Sequence, residues 1–176
     1  MTEENEINFG PVDHITTDAV GKPGERTFYI QATFQDQTIT LLIEKIQIQT
    51  LSVGVEQFLT EVKTHFPDLI ESSADYDEEK MRIHPPVDPL FRAGELGISY
   101  ESAHDHIILV VHEIIQDENE EKKGQVINVI CTRSQLRAMC HWGLDIAARG
   151  RPICPQCGEP MDPEGHFCPK KNGHKH

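Results

Sequence analysis

The densest ligand chemistry in the chain lies near its end. Cys154-Pro155-Gln156-Cys157-Gly158 is followed by His166-Phe167-Cys168-Pro169 and by His174. Two thiolates three positions apart converge on one ion, and a glycine after the second lets backbone N–H groups turn toward sulfur. A structural zinc ion takes four ligands in a tetrahedron, drawn from Cys and His. Cys154, Cys157 and Cys168 supply three. Two histidines compete for the fourth place. His166 stands two residues before Cys168, and on an extended segment both side chains point the same way. His174 would return over a turn at Asn172-Gly173, and His176 is a more remote choice. Pro160 to Gly165 reads as a tight connection that sets the two ligand pairs side by side. Three thiolates and one imidazole leave no open position for water. The expected ion is therefore structural Zn2+, holding together a tail too short to build its own core.

Other candidate chemistry is sparser, and no catalytic residue is identified. His104-Asp105-His106 has a metal-like spacing but falls in a turn, where solvated histidines are common. His112 and Glu113 are neighbours on a strand pattern and so face opposite ways. Cys131 and Cys140 sit in apolar segments and read as buried thiols. His141 falls on the polar side of the last helix and Trp142 borders its apolar stripe. Gly21-Lys22-Pro23-Gly24 is too short for a phosphate-binding loop and precedes no helix. Glu44, Lys45 and Gln47 stand where a strand gives way to a helix. A pocket could lie there, although a helix start also explains their polarity.

Composition narrows the class. The chain has 176 residues, 38% of them hydrophobic, and a mean hydropathy of -0.44. No apolar run is long enough to span a bilayer. Met1 to Glu6 is acidic and lacks the apolar core of a secretory signal. The expected location is the cytoplasm, where clustered cysteines bind metal rather than pair as disulfides. The formal net charge is -13. From Arg149 onward, Arg149, Arg151, Lys170, Lys171 and Lys175 outnumber Glu159, Asp162 and Glu164. The negative charge therefore belongs to the body, which repels nucleic acid and anionic membranes.

These residues must be positioned by the elements before them. Residues 1–12 are polar and are expected to be a mobile, acidic N-terminus. His14 to Val20, Thr27 to Phe34 and Thr38 to Ile43 read as strands, and the last two alternate with period two. With turns between them they form an antiparallel meander. Ile48, Leu51, Val55, Phe58, Leu59, Val62 and Phe66 then make a helical stripe, ended by Pro67. Ser72 to Lys80 is acidic and apolar-poor, hence an expected mobile loop. Phe91 to Tyr100, with Gly94 and Gly97, suggests a bulged strand. Ile107 to Ile115 and Val126 to Cys131 are further strands, with Ile107 to Val111 expected at the centre and buried on both faces. Thr132-Arg133-Ser134-Gln135 is a capping box. It opens a helix with the stripe Leu136, Met139, Cys140, Gly143, Leu144 and Ala147, closed by Gly150 as a C′ residue. The predicted fold is α+β, with a largely antiparallel sheet, two main helices and a C-terminal zinc-ribbon-like knuckle. Its expected division is an α+β domain over 1–150 and a zinc-binding tail over 151–176, packed on that domain.

Gly21 to Gln31, Glu44 to Gln47, and Gly150 to Pro169 with Asn172-Gly173 together resemble a bacterial family designated domain of unknown function 3090. The resemblance spans nearly the whole chain and implies that the tail is part of the domain. It implies no reaction. Members of that family often end Asn-Gly-Tyr where this chain has Asn172-Gly173-His174, and that departure favours His166 over His174 as fourth ligand. It also points to the shared polar residues Arg26, Gln31, Glu44, Lys45 and Gln47 as a surface to inspect. In the plainest reading, Arg26 and Glu44 pair across the meander. Three functions follow as expectations: a zinc-containing binding module with a protein partner, an enzyme with its site near Arg26, Glu44 and Lys45, and, less favoured by the acidic body, nucleic-acid binding through the basic tail.

Overall fold

The computed structural model describes residues 5–115, 123–150, 154–158, 161 and 168. His166, His174, His176 and the basic residues Arg151, Lys170, Lys171 and Lys175 lie outside them, as does the expected connection over 162–165.

Among the described residues, seven strands form two sheets. The meander appears as expected: β2 (His14–Val20), β3 (Thr27–Phe34) and β4 (Gln37–Ile43) pair antiparallel in the order β2-β3-β4. Period-two alternation sends Ile15, Phe28, Ile30, Ala32, Leu41 and Ile43 into the core. The second sheet has the order β1-β7-β6-β5, with β1 (Asn5–Phe9), β5 (Ala93–Glu101), β6 (His106–Glu113) and β7 (Gln125–Thr132). Its pairings are antiparallel except for β1 on β7, which is parallel. The expected irregularity in β5 falls between Ala93 and Leu96. Backbone bonds stitch the sheets together: Val12 N–H donates to Ile130 O at 2.8 Å, Leu90 N–H to Thr40 O at 2.8 Å and Leu42 N–H to Phe91 O at 3.0 Å.

Two helices close the core. α1 (Lys45–His65) buries Ile48, Leu51, Val55, Leu59 and Val62. α3 (Arg133–Ala148) begins at the expected capping box, in which Gln135 N–H donates to Thr132 Oγ1 at 3.0 Å and Thr132 N–H to Gln135 Oε1 at 2.8 Å. The helices pack closely on each other and α3 also packs on β2. Gly143 makes that packing possible, because a Cβ there would stand 2.7 Å from Ile48 Cγ1 and 3.0 Å from Thr17 Cγ2.

The structure corrects several expectations. Residues 5–9, within the polar start of the chain, form a strand. They add a parallel edge strand to β7, and Asn128 Nδ2 donates to Glu6 Oε1 and Asn8 Oδ1, so polar side chains hold the strand. β6 is central, but it is closed on one face only: Ile107, Leu109 and Val111 are buried while Ile108, Val110 and His112 are half-buried. On α3, Leu144 is exposed, and Trp142 and Ile146 take the buried positions. Trp142 Nε1–H donates to Thr17 O at 2.7 Å, which satisfies its one polar atom inside the core.

The segment read as a loop over 72–80 is anchored along its length. Arg133 and Arg137 of α3 donate to Ile70 O and Ser72 O, and Ser134 Oγ accepts from Ser73 N–H. A short helix, α2 (Glu78–Met81), then buries Met81. Thr16 Oγ1 donates to Met81 O, and buried Asp18 accepts from Arg82 and from the Ile83 N–H. The acidic composition suggested solvation, but the segment's backbone carbonyls and the arginines of α3 hold it in place.

Candidate functional site

Two places gather chemistry. At the first, the sulfurs of Cys154, Cys157 and Cys168 all lie within 4.8 Å of one another. Cys154 Sγ and Cys168 Sγ are 3.9 Å apart, too far for a disulfide bond of about 2.05 Å. Two thiolates on one zinc ion, each bonded at about 2.3 Å in a tetrahedron, stand roughly 3.8 Å apart. The cysteines thus have the spacing of a shared metal. The knuckle is built locally. Gly158 N–H donates to Cys154 O at 2.9 Å, and Gly158 holds φ at +76°, a conformation that a side chain would strain. Backbone N–H groups of Cys157 and Gln156 donate toward Cys154 sulfur and bring its thiol down to about 6. That favours the thiolate, the form that binds metal. Cys131 and Cys140 behave oppositely. Burial in the apolar core pushes both up to about 12, so they remain neutral packing groups, as their sequence context predicts.

The second place is a cleft of about 460 Å³ between the meander, the start of α1 and the end of α3. Arg26, Glu44, Lys45, Arg92 and Gly150 line it, with Phe28 and Leu42. Of the five polar residues singled out from the sequence, three meet here. The other two serve the fold. Gln31 is buried, donates to Thr40 Oγ1 and His84 O, and accepts from His84 N–H, which ties the segment after α2 to the meander. Gln47 closes the capping box at Glu44, accepting from the Glu44 N–H at 2.7 Å. Its amide also donates to Ala93 O and Gly94 O, covering the irregular edge of β5.

The expected Arg26–Glu44 pair does not form. Glu44 instead accepts from Arg92 at 2.5 Å, because the bridge between Leu42 and Arg92 brings that arginine beside the helix start. Arg26 crosses to the end of α3, where Nη1 donates to Ile146 O at 2.8 Å and its guanidinium lies 5.1 Å from the Phe28 ring centroid. This caps one of the last carbonyls of the helix. Arg92, which also lines the cleft, escaped the motif reading because it belongs to no pattern with Arg26 or Lys45, and Gly150 entered that reading only as a helix end and a family motif residue. Gly150 follows α3 as expected, but not in a left-handed conformation. It leaves space: a Cβ there would meet Arg26 Nη2 at 3.1 Å and Lys45 Nζ at 3.3 Å.

His104 and His106 stack with ring centroids 5.8 Å apart and share Glu101, while Asp105 between them is held by Arg133. The turn is thus a surface ion-pair cluster. His141 pairs with Glu56 on α1, which also takes Arg137. His112 and Glu113 form no dyad with each other: Glu113 accepts from Gln125 N–H.

A family model described as "Protein of unknown function (DUF3090)" matches residues 7–168. The chain belongs to that family. The matched span takes in Cys154, Cys157, His166 and Cys168. No curated protein and no solved structure matches the chain. No helix among the described residues is long and apolar enough to cross a membrane.

Proposed function

We propose that this DUF3090 protein is a cytoplasmic zinc-containing binding module, in which the ion is structural and the working surface lies on the α+β body. The single observation that carries this reading is the convergence of three cysteine sulfurs within 4.8 Å at the end of the chain. His166 supplies the fourth ligand, with His174 its rival. A set of three thiolates and one imidazole has no place for a substrate or a reactive water, so the ion fixes the tail and performs no chemistry. A protein partner is the expected target, and the acidic body disfavours nucleic acid. The test is elemental analysis of protein purified without chelator: one zinc per chain is expected, and metal-free protein with reduced thiols would refute the reading.

A second reading is favoured by one observation. Arg26, Glu44 and Lys45 line one concave cleft, the arrangement an active site on the body would require. Burial lowers the basicity of Arg26, as desolvation does. Among the described residues no nucleophile and base are in hydrogen-bond contact at the cleft, so binding is the more direct use of it.

A further inference from the structure

We propose that the cleft at Arg26, Lys45 and Gly150 binds a small organic phosphate. The inference goes beyond the zinc reading and does not depend on it.

The sequence carries 29 acidic side chains against 16 Lys and Arg, so basic groups have carboxylates in abundance. Arg92 behaves accordingly and pairs with Glu44 at the cleft wall. Arg26 and Lys45 do not. Among the described residues no carboxylate lies in ion-pair range of either, although both face the same hollow. Their heads stand within 3.3 Å of one point, the position a Cβ would take on Gly150. Two cations held this close repel each other unless an anion joins them. Arg26 spends Nη1 on Ile146 O, and its Nη2 lies on the Gly150 side beside Lys45. That leaves donors of two geometries, a planar guanidinium and a point-like ammonium, directed at one space.

The ligand's charge and size follow from the surroundings. A dianion matches two adjacent unpaired cations better than a single carboxylate does, and a phosphate offers oxygens to both donors. A volume of about 460 Å³ exceeds what inorganic phosphate fills and lies in the range of small-molecule sites. Phe28 and Leu42 give the organic portion an apolar contact. A polyanion is disfavoured by the net charge of -13 on the chain.

The experiment is calorimetric titration of the full chain at low salt, with zinc content measured on the same samples so that binding and metal loading are read separately. The probes are inorganic phosphate, glucose 6-phosphate, adenosine monophosphate, glucose and duplex DNA. At least one phosphomonoester is expected to bind more tightly than inorganic phosphate, with glucose silent. Lys45→Gln is the cleaner variant, because Lys45 has no side-chain hydrogen bond or ion pair among the described residues. It should weaken binding at least tenfold and leave the melting temperature unchanged. Arg26→Lys should weaken it less than Arg26→Gln. Absence of phosphomonoester binding, binding unaffected by Lys45→Gln, or binding of DNA alone would overturn the proposal.

Discussion

The cysteine knuckle and the cationic cleft are assembled in opposite ways. The knuckle draws its thiols from Cys154, Cys157 and Cys168, a span that a motif can hold. The cleft draws its walls from residue 24 to residue 150 and exists only when the meander, α1 and α3 are in place. A local site of this kind would take its stability from a bound metal. A dispersed one takes it from the core. Damage to one should therefore leave the other readable.

The largest effect separates them outright. Cys168→Ser removes one of three convergent thiolates and should abolish stoichiometric metal binding, while the far-UV circular dichroism of the body stays unchanged. Loss of the whole fold would instead show that the tail is a folding nucleus. Next, Gly143→Ala pushes a methyl group against Ile48 and Thr17 at the α1–α3 contact. Denaturant unfolding should show a loss of about 1–3 kcal/mol with metal content retained. A neutral result would mean the helices part more easily than their packing indicates. The same substitution at Gly54 should have the opposite sign. Nothing lies within 4 Å of its Cβ position in α1, so Gly54→Ala should stabilise by about 1 kcal/mol.

The smallest effect is acid sensitivity. Hydrogen bonds from Arg133 lower the carboxyl of Asp105, and those from Arg137 and His141 lower that of Glu56. A depressed carboxyl stabilises the fold above its unfolded value, here 3.8 for Asp and 4.5 for Glu, and the gain fades as pH falls through the folded value. Both pairs are exposed enough to contribute under about 1 kcal/mol each. Stability should fall below about pH 4.5, and Arg137→Gln should flatten part of that fall. An unchanged profile in the variant would assign the acid sensitivity to other carboxylates.

The meander and both main helices were legible because each has a clean period: two in β3, and 3.6 in α1 and α3. The capping box at Thr132 and Gln135 was legible because its partners are three residues apart. The strand over 5–9 and the anchoring of 72–80 leave no local signal in the sequence, for one reason. Both are polar segments whose order comes from distant partners, Asn128 in one case and Arg133, Ser134 and Arg137 in the other. Composition records the polarity but not who answers it. At the cleft, three of its lining residues were picked out, yet Glu44 was matched with the wrong arginine. The parallel bridge from Leu42 to Arg92, which decides the partner, leaves no trace in local spacing.

The central claim concerns the knuckle, namely that its metal is zinc in a closed shell. X-ray absorption at the zinc edge tests it directly on the full-length protein. The account predicts three sulfur neighbours at about 2.3 Å and one nitrogen at about 2.0–2.1 Å, with no exchangeable oxygen. An oxygen neighbour that is displaced by added small ligands would contradict it, because the ion would then have an open position and a part in chemistry.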